Sequence, residues 1–287
     1  MKKIFYINKN GMLERKDSSL ILKEKNHNIH YIPIEQLDLI ICNSDITLNK
    51  RVLSLLNYHN ISIIFFNFYN DYIGRFTPKK YSDGKIIMNQ IESYNNHKRM
   101  IIVRSILEAE LLNSMSLLKY YHKKENRYSS QINTIQSLKI KISNLNNVDE
   151  SLLLEARIKK SYYSAFDTII KNKDFIFYNR EYNPTSNEVN ALLSYGYAIL
   201  YATILSDIDK SPLLPQISYI HSLSKQSDSL QFDIADILKP IIVDRLVFRL
   251  INKNQIKLCH FDYKNEACYL NKEGIKNILK RIWIINV

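Results

Sequence analysis

The sequence predicts an α+β fold, with a small β-rich N-terminal domain over residues 1–85 and a larger all-α domain over residues 86–287. Three observations carry that reading. Early in the chain, apolar residues come in short runs of strand length broken by turn residues. Past residues 82–90 they recur at helical spacing over long segments with few glycines or prolines. With 46% hydrophobic and 24% charged residues, the 287-residue chain can bury an ordinary core, which excludes wholesale disorder.

"KIFYIN" reads as the first strand, and Asn10-Gly11 after it is a hairpin signal, because such pairs tolerate the backbone of a tight turn. "MLERKDSSLILKEKNHNIHYIPI" continues with short β-rich runs. "LDLIICNS" and "ISIIFFNFY" are apolar runs of strand length, separated by a helix carrying Leu48, Val52, Leu55 and Leu56. "NDYIGRFTPKK" adds a last strand ending at Pro78. The helical part opens with "QIESYNNHKRMIIVRSILEAELLNSMSLLKYYHKK", predicted as one long helix. "YSSQINTIQSLKIKISNL" is the second, and "VDESLLLEARIKKSYYSAFDTII" the third, with Asp149 as its cap. "NEVNALLSYGYAILYATILSDI" follows, capped by Thr185, Ser186 or Asn187. "SLQFDIADILKPIIVDRLVFRLIN" is disturbed by Pro240, and "NKEGIKNILKRIWIIN" closes the chain as a helix.

Forty Lys and Arg against 28 Asp and Glu leave a net charge of +12, which points to a polyanionic partner, nucleic acid or an anionic membrane surface. A generally basic, Lys-, Asn- and Ile-rich composition is the plainer explanation. No run of about 18 apolar residues is present, so no membrane span is expected. The opening "MKKIFYINKN" has too few apolar residues in a row for a signal peptide. Cys42, Cys259 and Cys268 form no CxxC pair and read as reduced thiols of a cytoplasmic protein. Cys259, His260 and Cys268 lack the fourth ligand and the spacing of a zinc site.

The chemistry concentrates in "HSLSKQSDSLQFDIADILKPIIVDRL", residues 221–246. Asp233 and Asp236 are three apart and share a helix face, where their charges repel unless a cation sits near them. His221 lies just upstream in a polar loop. Carboxylate oxygens with a neutral imidazole suit Mg²⁺ or Mn²⁺, the histidine tilting the choice toward Mn²⁺. Glu155, beside an apolar "LLL", is the best third carboxylate. Other readings stay open: His221 as a hydrogen-bonded loop histidine, the two aspartates as a solvated face, and Asp244-Arg245 as a structural ion pair. Basic residues surround these segments, among them Arg157, Lys159, Lys160, Lys225, Lys239, Arg245 and Arg249, as phosphate binding requires. Tyr162 and Tyr163 read as half-buried packing or as stacking partners of nucleic acid.

These residues resemble the CRISPR-associated adaptation endonuclease/integrase family, the Cas one family. "NEVNALLSYGYAILY" is similar to its N-A-L-L-x-x-G-Y-x-x-L-Y helix, and "YIHSLSKQSDSLQFDIADILKPIIVDR" to its G-F-x-H…S-L-x-x-D-[LI]-x-[ED] block. "GMLERKDSSLIL", "YIPIEQLDLIIC" and "NISIIFFNFYNDYIGRFTP" look like its N-terminal β domain. The family's E-G-x-x-R-type helix lines up with "LLEARIKKSYYSAF", with Ala156 in place of the glycine. "SYIH" stands for "GFxH".

The resemblance implies catalytic, metal-ligating roles for Glu155, His221 and Asp236 around Mg²⁺ or Mn²⁺. Asp233 becomes a nearby further acid and Asn190 a supporting or structural residue. It implies a catalytic, metal- and DNA-binding helical domain, with Arg157, Lys160, Lys225 and Arg245 on DNA, and a homodimer formed through the β-rich domain. Two such dimers would join the small Cas two protein in a heterohexameric complex on double-stranded DNA. That assembly would join prespacer 3′-ends to the repeat edges of a CRISPR array in the cytoplasm. A catalytically inactive basic nucleic-acid-binding protein of this fold, or a mobile-element integrase, would share much of this pattern.

Overall fold

A computed structural model describes residues 3–67, 69–79, 82–182, 184–221, 223, 228–281 and 284–286. The first elements in chain order are β1 (Lys3–Ile7), β2 (Gly11–Lys16), β3 (Ser19–Lys23), β4 (Ile29–Ile32), β5 (Leu37–Cys42), β6 (Ile46–Leu48), α1 (Lys50–Tyr58), β7 (Ser62–Phe66) and β8 (Tyr72–Phe76). Helices come next as α2 (Gly84–Asn95), α3 (Lys98–Glu125), α4 (Ser129–Ile142), α5 (Val148–Tyr163), α6 (Phe166–Ile169), α7 (Glu188–Lys210), α8 (Leu230–Lys239) and α9 (Arg245–Asn252). The chain ends with β9 (Phe261–Lys264), β10 (Ala267–Leu270), α10 (Lys272–Leu279) and β11 (Ile284–Asn286). A strand-rich region followed by a helical one is the predicted fold class.

The chain divides into two compact units. The first takes Met1–Ser82, Leu205–Pro212 and Ile275–Val287; the second takes Asp83–Ile204 and Leu213–Gly274. The sequence predicts one boundary, after residue 85; this division ends the first stretch at Ser82 and returns two later segments to the first unit.

The first unit holds a five-stranded sheet in the order β11-β1-β5-β7-β8 and a four-stranded sheet in the order β4-β3-β2-β6. In the larger sheet β8 alone runs antiparallel to its neighbour. Phe5, Ile7, Leu13, Leu20, Leu22, Ile40 and Ile63 bury one core between the strands, closed by Val52, Leu55 and Leu56 of α1. Asn49 starts α1, its Oδ1 accepting from Arg51 N–H at 3.0 Å and Val52 N–H at 3.2 Å. Asn10-Gly11 is not a hairpin: β1 and β2 lie in different sheets. Gly11 is needed for close approach instead, since a Cβ there would stand 2.3 Å from the Lys23 carbonyl oxygen. The hairpin turn is at Asp17, with φ 53° between β2 and β3. The last helix is also shorter than expected. α10 ends at Leu279, and the β-branched pair Ile284-Ile285 runs parallel to β1 as an added strand.

The second unit is helical, with α3 packed against α4, α5 and α8. The expected first long helix breaks at Asn96. Its backbone is extended, and its Oδ1 accepts from Lys98 N–H at 2.8 Å to start α3. Asn147, not Asp149, caps α5, accepting from Glu150 N–H at 2.8 Å. The predicted third helix also ends early, at Tyr163, with the single turn of α6 after it. Asn187 accepts from Asn190 N–H at 3.0 Å to open α7. By length and mean hydropathy (1.3) α7 could cross a membrane, but 72% of that stretch is buried inside the protein, as in a core helix. Gly196 lets α7 approach the chain after α8: a Cβ there would meet Val243 Cγ1 at 2.5 Å. That neighbouring stretch, Pro240–Asp244, is π-helical. Pro240 has no N–H to continue the α ladder, and Arg245 N–H reaches back five residues to the Pro240 carbonyl. Each extra residue rotates the downstream helix face by about 100°. An unpredicted hairpin, β9–β10, turns at Asn265 and Glu266, both with positive φ, and hydrogen-bonds to Thr185 through Cys268 at 2.7 and 2.8 Å.

Candidate metal centre

Three helices of the second unit each carry one acid to a single place. Glu110 on α3, Glu155 on α5 and Asp236 on α8 bring one carboxylate oxygen each within 4.8 Å of the others. Their exposures are 3%, 6% and 4%. Three acids in a dry site can stay charged only beside cations. Lys159, one turn after Glu155, supplies the first. Its Nζ donates to Glu155 Oε1, lies 2.9 Å from Asp236 Oδ2 and stands 3.8 Å from Glu110 Oε1. Lys239, one turn after Asp236, donates to Asp236 Oδ1.

The electrostatics are uneven. Burial works against the Asp236 charge, but Lys239 and Lys159 overcome it and hold the carboxyl down at about 2. Burial lifts Glu110 well above its ordinary value of 4.5; Lys159 opposes that, while Asp236 and Glu155 add to it. Burial would lower Lys159, yet Glu110, Asp236 and Glu155 together keep it well above its ordinary value. The second oxygens of Glu110 and Glu155 are buried with no hydrogen-bond partner among the described residues.

His221 borders this cluster, its Nε2 3.8 Å from Asp236 Oδ2. Its Nδ1 meets Asp233 Oδ1 at 2.7 Å, which aims Nε2 at the acids. Asp233 is fully buried and spends its remaining capacity on the loop, accepting from Tyr219, Ile220 and His221 N–H at 2.6, 3.2 and 3.2 Å. Burial opposes the imidazolium, but the Asp233 hydrogen bond and the charges of Asp236, Asp233 and Glu155 raise His221 above its ordinary value. Hard carboxylate oxygens, some unsatisfied, beside one oriented imidazole form a donor set that fits Mg²⁺ or Mn²⁺.

The family model for CRISPR associated protein Cas1 matches residues 5–283. The chain is 36% identical to the CRISPR-associated endonuclease Cas1 2 of Thermodesulfovibrio yellowstonii, across 98% of this chain and 86% of that one. The chain belongs to the Cas1 family. Among solved structures it superposes on a CAS1 protein from Thermotoga maritima with a TM-score of 0.89 and 34% identity, covering 99% of this chain and 89% of that chain. A casposase bound to integration product shares the fold, with a TM-score of 0.87 at 19% identity over 98% of this chain and 82% of that one.

In this Cas1-family chain the expected residues separate by position. Glu155 and Asp236 meet, and His221 stands beside them. Asn190 is buried elsewhere in the unit. Its Oδ1 accepts from Arg180 and from Glu181 N–H, each at 3.0 Å, and its Nδ2 donates to the Asn179 carbonyl. Arg157 and Lys160 are exposed on α5, and Arg245 is exposed with its guanidinium 5.3 Å from the Tyr120 ring centre. Lys225 lies outside the described residues. Lys159 and Lys239 face carboxylates rather than solvent. Asp244 makes no pair with Arg245, because adjacent helical residues diverge. It accepts instead from the hydroxyls of Tyr162 at 2.8 Å and Tyr197 at 2.7 Å. Tyr162 is therefore buried structure and not a stacking platform.

Glu110 escaped the sequence reading. Its signal was present: it shares the inward face of α3 with Val103, Leu107, Leu111 and Ser114, all buried. An acid within such a face needs a partner.

Proposed function

We propose that the chain is a divalent-metal-dependent DNA endonuclease and integrase of CRISPR adaptation. It joins prespacer 3′-ends to the repeat edges of a CRISPR array, together with the small Cas two protein. The observation that carries this reading is the buried carboxylate cluster with unsatisfied oxygens, flanked by an oriented histidine, in a Cas1-family chain. Glu155, His221 and Asp236 hold Mg²⁺ or Mn²⁺ as the catalytic residues. The bound ion would lower the pKa of the attacking hydroxyl or water and neutralise charge growing on the phosphate. Asp233 keeps the His221 ring turned toward the ion. Asn190 supports the same unit from a distance.

Exposed Arg157, Lys160 and Arg245, with Lys225, take the phosphates of double-stranded DNA, in keeping with the net charge of +12. The protein works in the cytoplasm as a homodimer through its β-rich domain, two dimers assembling with Cas two in a heterohexamer.

The test is strand transfer into a supercoiled plasmid carrying a repeat, with prespacer duplex and Mn²⁺ or Mg²⁺, with and without the partner. Nicked or relaxed plasmid with prespacer covalently joined at the repeat edge is expected. A wild type as silent as His221→Ala refutes the enzyme; cleavage without joining reduces it to a nuclease.

A further inference from the structure

We propose that Glu110 is a ligand of the same divalent cation, so that the site draws a carboxylate from α3 as well as its donors on α5 and α8 and in the His221 loop. This rests on the metal-dependent reading above and adds to its ligand set.

Glu110 is nearly as inaccessible as a core leucine, at 3% exposure, on the packed face of the helix that touches α4, α5 and α8. The chain does little for it there. Its nearest charged partner, Lys159, is 3.8 Å from Oε1, beyond a normal hydrogen bond, and Oε2 has no partner among the described residues. Glu155 and Asp236, a few ångströms away, receive close ammonium contacts. Glu155 Oε2, also buried, has no partner either. Three helices bring one carboxylate oxygen each within 4.8 Å of the others, and two of these acids keep a dry, unused oxygen, a demand that a cation with several oxygen ligands satisfies at once. One lysine ammonium carries a single charge and three donors, and Lys159 directs its close contacts to the other two acids. A purely structural Glu110 would be better served by a direct hydrogen bond, which none of α3, α4, α5 or α8 provides.

Metal-free full-length protein is titrated with Mn²⁺ while the free ion is followed by its electron paramagnetic resonance signal. The set is wild type, Glu110→Gln, Glu110→Asp, Asp236→Asn and Glu108→Gln. Glu108 is the control, a half-exposed acid on the same helix paired to Lys139 at 3.0 Å. Glu110→Gln should weaken Mn²⁺ binding by about tenfold or more, and Glu108→Gln should leave it unchanged. Glu110→Asp, which keeps the charge and withdraws the carboxylate by one methylene, should also weaken it. It serves in place of the glutamine variant if that one fails to give a cooperative melt. If Glu110→Gln and Glu110→Asp bind as wild type while Asp236→Asn does not, the assignment of Glu110 is wrong and the proposed function stands. If Asp236→Asn also binds as wild type, the metal-dependent reading falls with it.

Discussion

Two buried acidic sites lie in the same helical unit and are satisfied in opposite ways. Asp244 is fully buried, and each of its oxygens meets one neutral hydroxyl, Tyr162 at 2.8 Å and Tyr197 at 2.7 Å. Burial raises it to about 6, against the pull of those hydroxyls and of Lys239 and Arg180. Glu110, Glu155 and Asp236 meet ammonium groups, and two of their oxygens are left over. The contrast separates structural acids from functional ones. A structural acid is matched by donors the fold supplies. An acid kept for an external cation is held in place by neighbours that do not use up its oxygens.

The largest effect should come from removing the internal cation of the three-acid site. Lys159→Met leaves three buried carboxylates without their shared ammonium, and breaking a buried pair from one side costs about 3–5 kcal/mol. Urea unfolding in the presence of a chelator should show that loss. Excess Mn²⁺ should restore part of it, because an ion that binds only the folded chain stabilises it. Unchanged stability in chelator, or a loss that Mn²⁺ leaves untouched, would mean the cluster is balanced by something other than a cation.

At the Asp244 site the expected effect is a pH dependence. Asp244 has an ordinary value of 3.8 and a folded value of about 6, so the folded protein holds the extra proton between those limits. Its stabilising share is complete below the lower value and is lost as pH rises through the upper one. The difference in unfolding free energy between wild type and Asp244→Asn should therefore fall by about 2 kcal/mol from pH 4 to pH 6.5. A difference that stays flat, or rises, would show that the two hydroxyls hold the aspartate ionised throughout.

Periodicity made the fold class and most helices legible, because apolar spacing reports which face is buried. It also put Asp233 and Asp236 on one helix face, while His221 was reached through its place in the loop just upstream and its ligand chemistry. It could not tell their roles apart. Asp233 serves backbone N–H groups of a loop whose path depends on tertiary structure. Glu110 and Glu155 meet only because α3 and α5 pack together, and that register is non-local. The pairing of Asp244 with Arg245 failed for a local reason, since neighbours in a helix diverge, and for a distant one, since both hydroxyls come from other helices. Asn10-Gly11 misled because glycine serves close approach as well as turns.

The smallest and sharpest contrast lies in two adjacent tyrosines. Tyr162→Phe removes one of the two hydroxyls that serve Asp244 and leaves Oδ2 buried without its donor, a loss of about 1–3 kcal/mol. Tyr163 is its neighbour along α5. Its ring packs on Tyr162, Phe166 and Phe177 at 5.5, 5.0 and 6.3 Å, and its hydroxyl makes no hydrogen bond among the described residues. Tyr163→Phe keeps all three ring contacts and should change stability by less than about 0.5 kcal/mol. Parallel urea melts of the two variants at pH 7.5, where Asp244 is ionised, measure the difference. It should shrink near pH 4, because a protonated Asp244 can donate its own hydrogen and depends less on the Tyr162 hydroxyl. Equal losses at both positions, or a gap that does not narrow in acid, would place the energy in ring packing and not in the carboxylate. The distinction drawn between the two acidic sites would then lose its structural half.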